Sequence, residues 1–364
     1  VSPHVVDIFQ IARPTADHSS LEVVQEGVLR LGGMREKLAI VAVVGGYHGG
    51  KSFLLNALNG RTNGFEITAG HRATTEGLWI CVTDMTSQKD GARILLLDTE
   101  GFSSAGVAEA YDAQVFSVAT LLSSHLVYNA KNLIQAQEVE YLETLARRAH
   151  LWSLNVEDMT VGFPPLKWAV QYFVGNLGET SPTQWLQSFI GDCLGEGCDL
   201  SDETHAKVKH GKSGDVSQTP AIGRRPLVAG NYTLAKLFKR DVAARVFYPP
   251  TSTGQSLSRL DLLPQNALDP EYLHQIDSFR EEILSNTVSR HQLRVDVADE
   301  GADGTRGAGL VARLTTLIEA ARDGRLPELV WSTEWEAKLV ASATAAALNA
   351  RDAGARVALR ASPP

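Results

Sequence analysis

Lys51 and Ser52, directly after a pair of glycines, are the residues whose types and spacing point most sharply to chemistry. From Gly45 to Ser52 the chain reads GGYHGGKS and fits G-x-x-x-x-G-K-[ST]. In such a loop glycines let backbone N–H groups close around phosphate oxygens, and the N-terminus of a following helix adds its positive end. The lysine reaches the outer phosphates and the serine hydroxyl ligates Mg²⁺. The backbone from Gly45 through Tyr47, His48, Gly49, Gly50, Lys51 and Ser52 to Phe53 is therefore the expected phosphate cradle. Asp98 is the second candidate. Asp98-Thr99-Glu100-Gly101 matches D-x-x-G, whose carboxylate holds Mg²⁺ through its water shell while the glycine amide turns toward a γ-phosphate. A helix N-cap is the bland alternative for an aspartate at such a place. Its pairing with the Gly-rich loop favours the metal role.

These groups need elements to hold them. The apolar run before Gly45 reads as a buried strand, and leucines at 54, 55 and 58 then recur at helical spacing until Asn59-Gly60. Ile94 to Leu97, ILLL, is a second buried strand ending at Asp98. Ligands of open α/β sheets gather at the carboxyl ends of the strands, so both motifs are expected on one rim. Ahead of them, Val5, Val6, Ile8 and Phe9 suggest an edge strand, and Leu21 to Leu31 has helical spacing ending at Gly32-Gly33. Arg61 to Thr75 is polar and without period, a loop, and Leu78 to Val82 is a strand.

Further on, Val115 to Leu122 reads as a helix, Ser124 to Asn129 as a strand, and Gln137 to Ala149 as a helix with Arg147-Arg148 at its C-terminal end. Leu166 to Val174 is expected to be a central strand, with a short helix over Trp185, Leu186 and Phe189. A polar, Gly-rich insert at about 191–225 reads as a mobile loop. Asn231 to Phe238 is a further helix and Ala244 to Tyr248 a last strand. Helices follow from Asp269-Pro270 to about Ser285, over Leu310 to Ala321, and from the capping box Thr333/Glu336 to about Asn349. The alternation predicts an α/β doubly wound sheet.

At 364 residues the chain suits one large domain with an appendage, or two domains. Its net charge of -8 argues against a general nucleic-acid surface. No apolar run approaches the roughly 20 residues that span a bilayer, and no signal segment opens the chain, so a cytoplasmic setting is expected. The chain starts at Val1 rather than Met and is expected to be part of something longer. The three cysteines, Cys81, Cys193 and Cys198, make no disulfide framework and suit a reducing compartment. Cys193 and Cys198 with His205 and His210 invite a zinc site, although the spacing is looser than usual zinc patterns and an ordinary loop is the simpler reading.

GGYHGGKSFLLNALNG, TTEGLWI, LLLDTEGF, LLSSHLVYN, ALDPEYLHQIDSFREEILSN and LVARLTTLIEAARDGRLP follow one another in an order that resembles the guanylate-binding protein and atlastin branch of the dynamin-like large GTPases. The fit is nearest to the guanylate-binding proteins. The resemblance implies a P-loop NTPase fold, a mostly parallel doubly wound sheet flanked by helices, as a large GTPase domain over residues 1–327. Residues 328–364 would begin an α-helical middle domain. It further implies Mg²⁺-dependent binding and hydrolysis of GTP to GDP and nucleotide-dependent homodimerisation. No segment supports membrane contact.

Carried over by position, Lys51 and Ser52 serve phosphate and Mg²⁺, Thr75 is the loop threonine that ligates Mg²⁺, and Asp98 to Gly101 form the second switch. Glu100 would organise the attacking water through a hydrogen-bond chain. Four residues, at three places in the chain, depart from the family pattern. His48 stands where an arginine finger is usual, which implies weak hydrolysis unless Arg61 or Arg72 substitutes. Histidine is only partly protonated at neutral pH, and its alternative role is to pack the loop. Gln171-Tyr172 stand where an Arg-Asp pair reads guanine, and neither offers an acceptor-only carboxylate, though Gln171 can accept one hydrogen bond and Tyr172 can stack. Ala73 stands where a serine is common. The competing expectation is a nucleotide-gated interaction module with little hydrolysis, or one with relaxed base specificity that accepts ATP.

Overall fold

The computed structural model of the chain describes residues 7–67, 75–102, 109–155, 163–190, 234, 237–238, 241–251, 260–289 and 305–322. Eight strands form one sheet: β1 (Asp7–Pro14), β2 (Leu21–Val23), β3 (Leu38–Gly45), β4 (Leu78–Thr86), β5 (Arg93–Thr99), β6 (His125–Lys131), β7 (Leu166–Gln171) and β8 (Val242–Val246). Their order is β2-β1-β4-β5-β3-β6-β7-β8. Strands β5, β3, β6, β7 and β8 run parallel, while β4, β1 and β2 extend one side as antiparallel neighbours. The sheet is thus mostly parallel and helix-covered, a P-loop α/β fold.

Alternation along β3 shows why both faces are covered. Leu38, Ile40, Ala42 and Val44 enter one core cluster, and Ala39, Val41 and Val43 enter another. Side chains on a strand alternate between faces, so a strand that is apolar throughout must be buried on both. Helices α3 (Glu109–Leu122), α4 (Ala136–Asn155), α5 (Pro182–Ile190) and α7 (Gly307–Arg322), with α1 (Gln25–Gly32), supply the first cluster. Helices α2 (Lys51–Leu58) and α6 (Pro270–Asn286) supply the second. The Asp269 carboxylate caps α6 by accepting from the Glu271 N–H at 2.9 Å. Register matters for function: Val43 lies opposite Asp98, Gly45 opposite Asn129 and Lys131 opposite Gln171.

Several expectations are corrected. Strand β1 is not an edge, because β2 pairs outside it through Pro14 and Leu21; Val5 and Val6 lie outside the described residues. Leu21 to Val23, expected in a helix, is that outer strand, and α1 starts only at Gln25. Helix α4 runs on to Asn155, which makes Arg147-Arg148 interior, and Arg147 pairs with Glu143 one turn back at 2.7 Å. Strand β7 stops at Gln171 rather than Val174, because Tyr172 turns the chain with φ 56°. Strand β8 begins two residues before the expected Ala244. The 191–225 insert, the Thr333 helix and the segment 328–364 lie outside the described residues, as does most of Asn231 to Phe238. Among the described residues no helix is long and apolar enough to cross a membrane.

Candidate nucleotide site

Strand β3 delivers the Gly-rich loop to the carboxyl rim of the sheet. Gly45 has φ +146°, and a Cβ there would stand 2.3 Å from the Asn129 carbonyl oxygen of the adjoining strand. Gly50, with φ 85°, is the residue from which α2 starts. Only glycine adopts such backbone without strain. The first-turn N–H groups of α2 lack helical partners and face the loop, the geometry that suits a bound anion. Lys51 is buried, 7% exposed, and its Nζ donates to the Gly46 carbonyl at 3.2 Å. Burial pushes its pKa down, against the opposing pull of Asp98, Glu100 and Asp112. A cation so held stands ready for an anionic ligand.

Not every cradle residue contributes a side chain. The Phe53 ring is buried in the core, 6.0 Å from the Tyr272 ring, so only its backbone can serve the loop. His48 sits exposed at the crest of the loop with φ 55°, its ring against Tyr47 at 3.8 Å.

One carboxylate oxygen gathers the metal candidates. Asp98 Oδ2 accepts from Ser52 Oγ at 2.6 Å and from Thr75 Oγ1 at 3.0 Å, and the two hydroxyls are 3.3 Å apart. Asp98 Oδ1 accepts from the Thr99 N–H at 3.1 Å. Asp98 is 1% exposed, and this burial drives its pKa up despite Lys51 and the hydrogen bonds that favour the carboxylate. The three side chains come from three separated segments. Their oxygens are hard ligands of the kind Mg²⁺ takes alongside phosphates and water, and a divalent cation would relieve the buried charge. The donor set fits the ion.

Glu100 and Gly101 close the other side. Gly101 lies so near the loop that a Cβ would meet Tyr47 Cα at 2.6 Å and Lys51 Nζ at 2.9 Å. The Glu100 carboxylate is buried and engaged at both oxygens: Oε1 with His18 Nε2 at 2.8 Å, Oε2 with the Tyr111 hydroxyl at 2.8 Å and the Gly77 N–H at 2.9 Å. It is neither a solvated charge nor turned to open water.

On the base side, Gln171 Nε2 donates to Asn129 Oδ1 at 3.1 Å, and Asn129 Nδ2 donates to the Gly49 carbonyl at 2.7 Å. Gln171 therefore braces the cradle through Asn129. The Tyr172 ring lies beside Gly50, with Lys131 Nζ 5.8 Å from the ring centre, and burial pushes its phenol pKa up. Arg61 follows the far end of α2 and lines the same open cleft as Asp7, Asp84 and Arg93. The eight residues of α2 span about 12 Å, so Arg61 is no substitute for an arginine finger here. Arg72, Ala73, Cys193, Cys198, His205 and His210 lie outside the described residues, among which no group of three His, Cys, Asp or Glu could hold a metal.

Three residues of this site escaped sequence reading: Asn129, Tyr111 and His18. Asn129 carried a usable signal, a polar residue at the rim end of an apolar strand. His18 carried none.

Residues 18–194 match the family described as guanylate-binding protein, N-terminal domain. Human guanylate-binding protein 5 is 26% identical over 325 residues, covering 85% of this chain and 50% of that protein. Human guanylate-binding protein 4 is 27% identical, with 86% of this chain and 45% of the relative covered. Mouse guanylate-binding protein 3 is 28% identical, at 85% and 47%. The chain spans about half the length of the curated relatives it matches.

Proposed function

We propose that this chain, which belongs to the guanylate-binding protein family of large GTPases, binds GTP with Mg²⁺ and hydrolyses it to GDP within a domain spanning residues 1–327, after which residues 328–364 open a helical middle domain. The observation that carries this is the meeting of Ser52 and Thr75 on Asp98 beside buried Lys51. Those groups have little reason to share a dry rim except to meet a charged ligand.

Hydrolysis of a triphosphate is mainly positioning and electrostatics. Lys51 and the amides at the start of α2 would bind the outer phosphates and take up charge as the bond to the leaving oxygen breaks. Ser52, Thr75 and, through water, Asp98 would hold Mg²⁺, which supplies positive charge to the phosphates when bound. Glu100 would organise the attacking water through a hydrogen-bond chain rather than by direct contact, and the Gly101 amide would meet the γ-phosphate. His48, an exposed side chain of the cradle, would have to lean over that phosphate to serve it, and only its protonated fraction would add positive charge, so slow turnover is expected. Nucleotide-dependent homodimerisation is proposed from the family alone.

A second reading has its own observation. With Gln171 Nε2 donating to Asn129, and Tyr172 in place of a carboxylate, the end of β7 offers, among the described residues, no carboxylate to accept both N–H donors of guanine. Relaxed base choice, including ATP, follows from that. Phosphate release from GTP and ATP in parallel, at rising protein concentration, tests both. Release from GTP alone, faster per molecule at higher concentration, supports the dimerising GTPase; equal use of ATP supports the second reading; no release from either overturns hydrolysis.

A further inference from the structure

Glu100 is held by a residue far away in sequence, at the tip of the turn between β1 and β2. The turn is tightly built: the Thr15 N–H donates to the Ser20 carbonyl and the His18 N–H to the Thr15 carbonyl, both at 2.8 Å. Asp17 accepts from the Thr15 and Ser19 hydroxyls at 2.7 and 2.8 Å. Gln114 of α3 ties the turn down, accepting from the Ser20 hydroxyl at 3.0 Å and the Leu21 N–H at 3.2 Å. Within this frame His18 adopts φ 56°, a left-handed backbone that a non-glycine residue takes up at some cost. What the conformation achieves is reach. The imidazole lands with Nε2 2.8 Å from Glu100 Oε1 and its ring 4.7 Å from the Tyr111 ring, edge to face.

An ionised carboxylate only accepts, so Nε2 carries the hydrogen. With the Tyr111 hydroxyl and the Gly77 N–H on the other oxygen, the carboxylate has three donors from three elements and no freedom to turn. Its reach continues along the backbone. The Glu100 N–H donates to the Gly77 carbonyl at 2.9 Å, so Gly77 is pinned from both sides. Two residues earlier, Thr75 places its hydroxyl on Asp98. Gly77 itself, with φ +71° and a Cβ position 2.3 Å from the Ala12 carbonyl oxygen, leaves no room for a side chain.

We propose that His18 is a positioning residue of the hydrolytic centre: by locking the Glu100 carboxylate onto Gly77, it keeps Thr75 in reach of the metal. The proposal rests on the GTPase reading above. A hydrogen bond to a charged group that fixes an orientation is strong enough to show in rate. His18 contacts Glu100 and Tyr111 and bonds to none of Lys51, Ser52, Thr75 or Asp98 among the hydrogen bonds of the described residues. Its loss should therefore act on kcat and on the Mg²⁺ requirement, and leave Mg²⁺-free nucleotide affinity alone.

The experiment compares wild type with His18→Leu, His18→Gln and Tyr111→Phe in two assays. One is phosphate release from GTP at varied GTP and Mg²⁺; the other is titration of a fluorescent non-hydrolysable GTP analogue with Mg²⁺ and with EDTA. For His18→Leu we expect kcat down about tenfold or more, half-saturating Mg²⁺ raised several-fold, and unchanged analogue affinity in EDTA. His18→Gln, which keeps an N–H donor, should recover most of the loss, and Tyr111→Phe should reproduce part of it. Wild-type kcat and Mg²⁺ dependence in His18→Leu would overturn the proposal alone. So would an equal fall of analogue affinity in EDTA, the sign of a collapsed turn. A wild-type protein that binds no analogue and releases no phosphate would overturn the GTPase reading and the proposal together.

Discussion

Replacing Asn129 with alanine should loosen the cradle without touching any group that meets phosphate. Asn129 is 1% exposed and makes two hydrogen bonds, donating to the Gly49 carbonyl at 2.7 Å and accepting from Gln171 at 3.1 Å. Each of the two neutral bonds lost costs about 1 kcal/mol, and buried groups left without partners add about 1–3 kcal/mol, so a total of about 3–5 kcal/mol of folding stability is expected. The functional loss follows from the same contact. Gly49 packs close to Asn129, since a Cβ on it would lie 2.8 Å from Asn129 Nδ2, and without that support the Gly49 peptide is free to rotate. If about 1.4 kcal/mol of this is felt at the phosphates, analogue affinity falls about tenfold. Gln171→Ala removes only the outer bond and should cost about half as much stability with affinity near wild type. Urea unfolding and analogue titration measure the two effects. An Asn129→Ala protein with wild-type unfolding midpoint and wild-type affinity would refute the bracing role.

Gly101→Ala should press a methyl group onto the Tyr47 backbone, costing about 1–3 kcal/mol and weakening analogue binding at least about tenfold; unchanged affinity in a titration would contradict the close approach. His125 sits fully buried at the start of β6, and burial first, then Lys167, pushes its pKa from an ordinary 6.5 to about 3. Because the folded value is the lower one, the fold prefers neutral imidazole: its stabilisation is present above pH 6.5 and is lost as pH falls toward 3, at about 1.4 kcal/mol per unit. Unfolding midpoints between pH 7 and 5 should show that slope, flattened in His125→Gln; an equal slope in both would remove His125 as the cause. Tyr172→Asp should raise the preference for GTP over ATP analogues at least about tenfold by supplying an acceptor pair for guanine, and an unchanged ratio would place base reading elsewhere.

The parts of the fold legible in sequence were those with one dominant cause. Strands β3 and β5 are apolar on both faces, and the Gly-rich loop and DTEG motif mark their ends, so both the parallel core and the shared rim could be foreseen. Leu21 to Val23 could not, because leucines and valines at 21, 24, 28 and 31 fit a helix equally well, and pairing with β1 decided the outcome. The end of β7 was missed because the left-handed turn at Tyr172 falls on a residue type that gives no warning of it. Arg61 shows the opposite failing: its distance from the phosphate rim follows from the length of α2 alone. The contacts of Glu100 were invisible for a topological reason. His18 reaches it only because β1 and β4 pair beside β5, a placement that no local pattern encodes.

The most direct measurement is the affinity of a non-hydrolysable GTP analogue for wild type and Lys51→Ala, with Mg²⁺ and with EDTA. Tight binding that needs Lys51 and is strengthened by Mg²⁺ is the predicted result, since Ser52, Thr75 and Asp98 converge beside that lysine. Binding that ignores both Lys51 and Mg²⁺, or no binding at all, would contradict it.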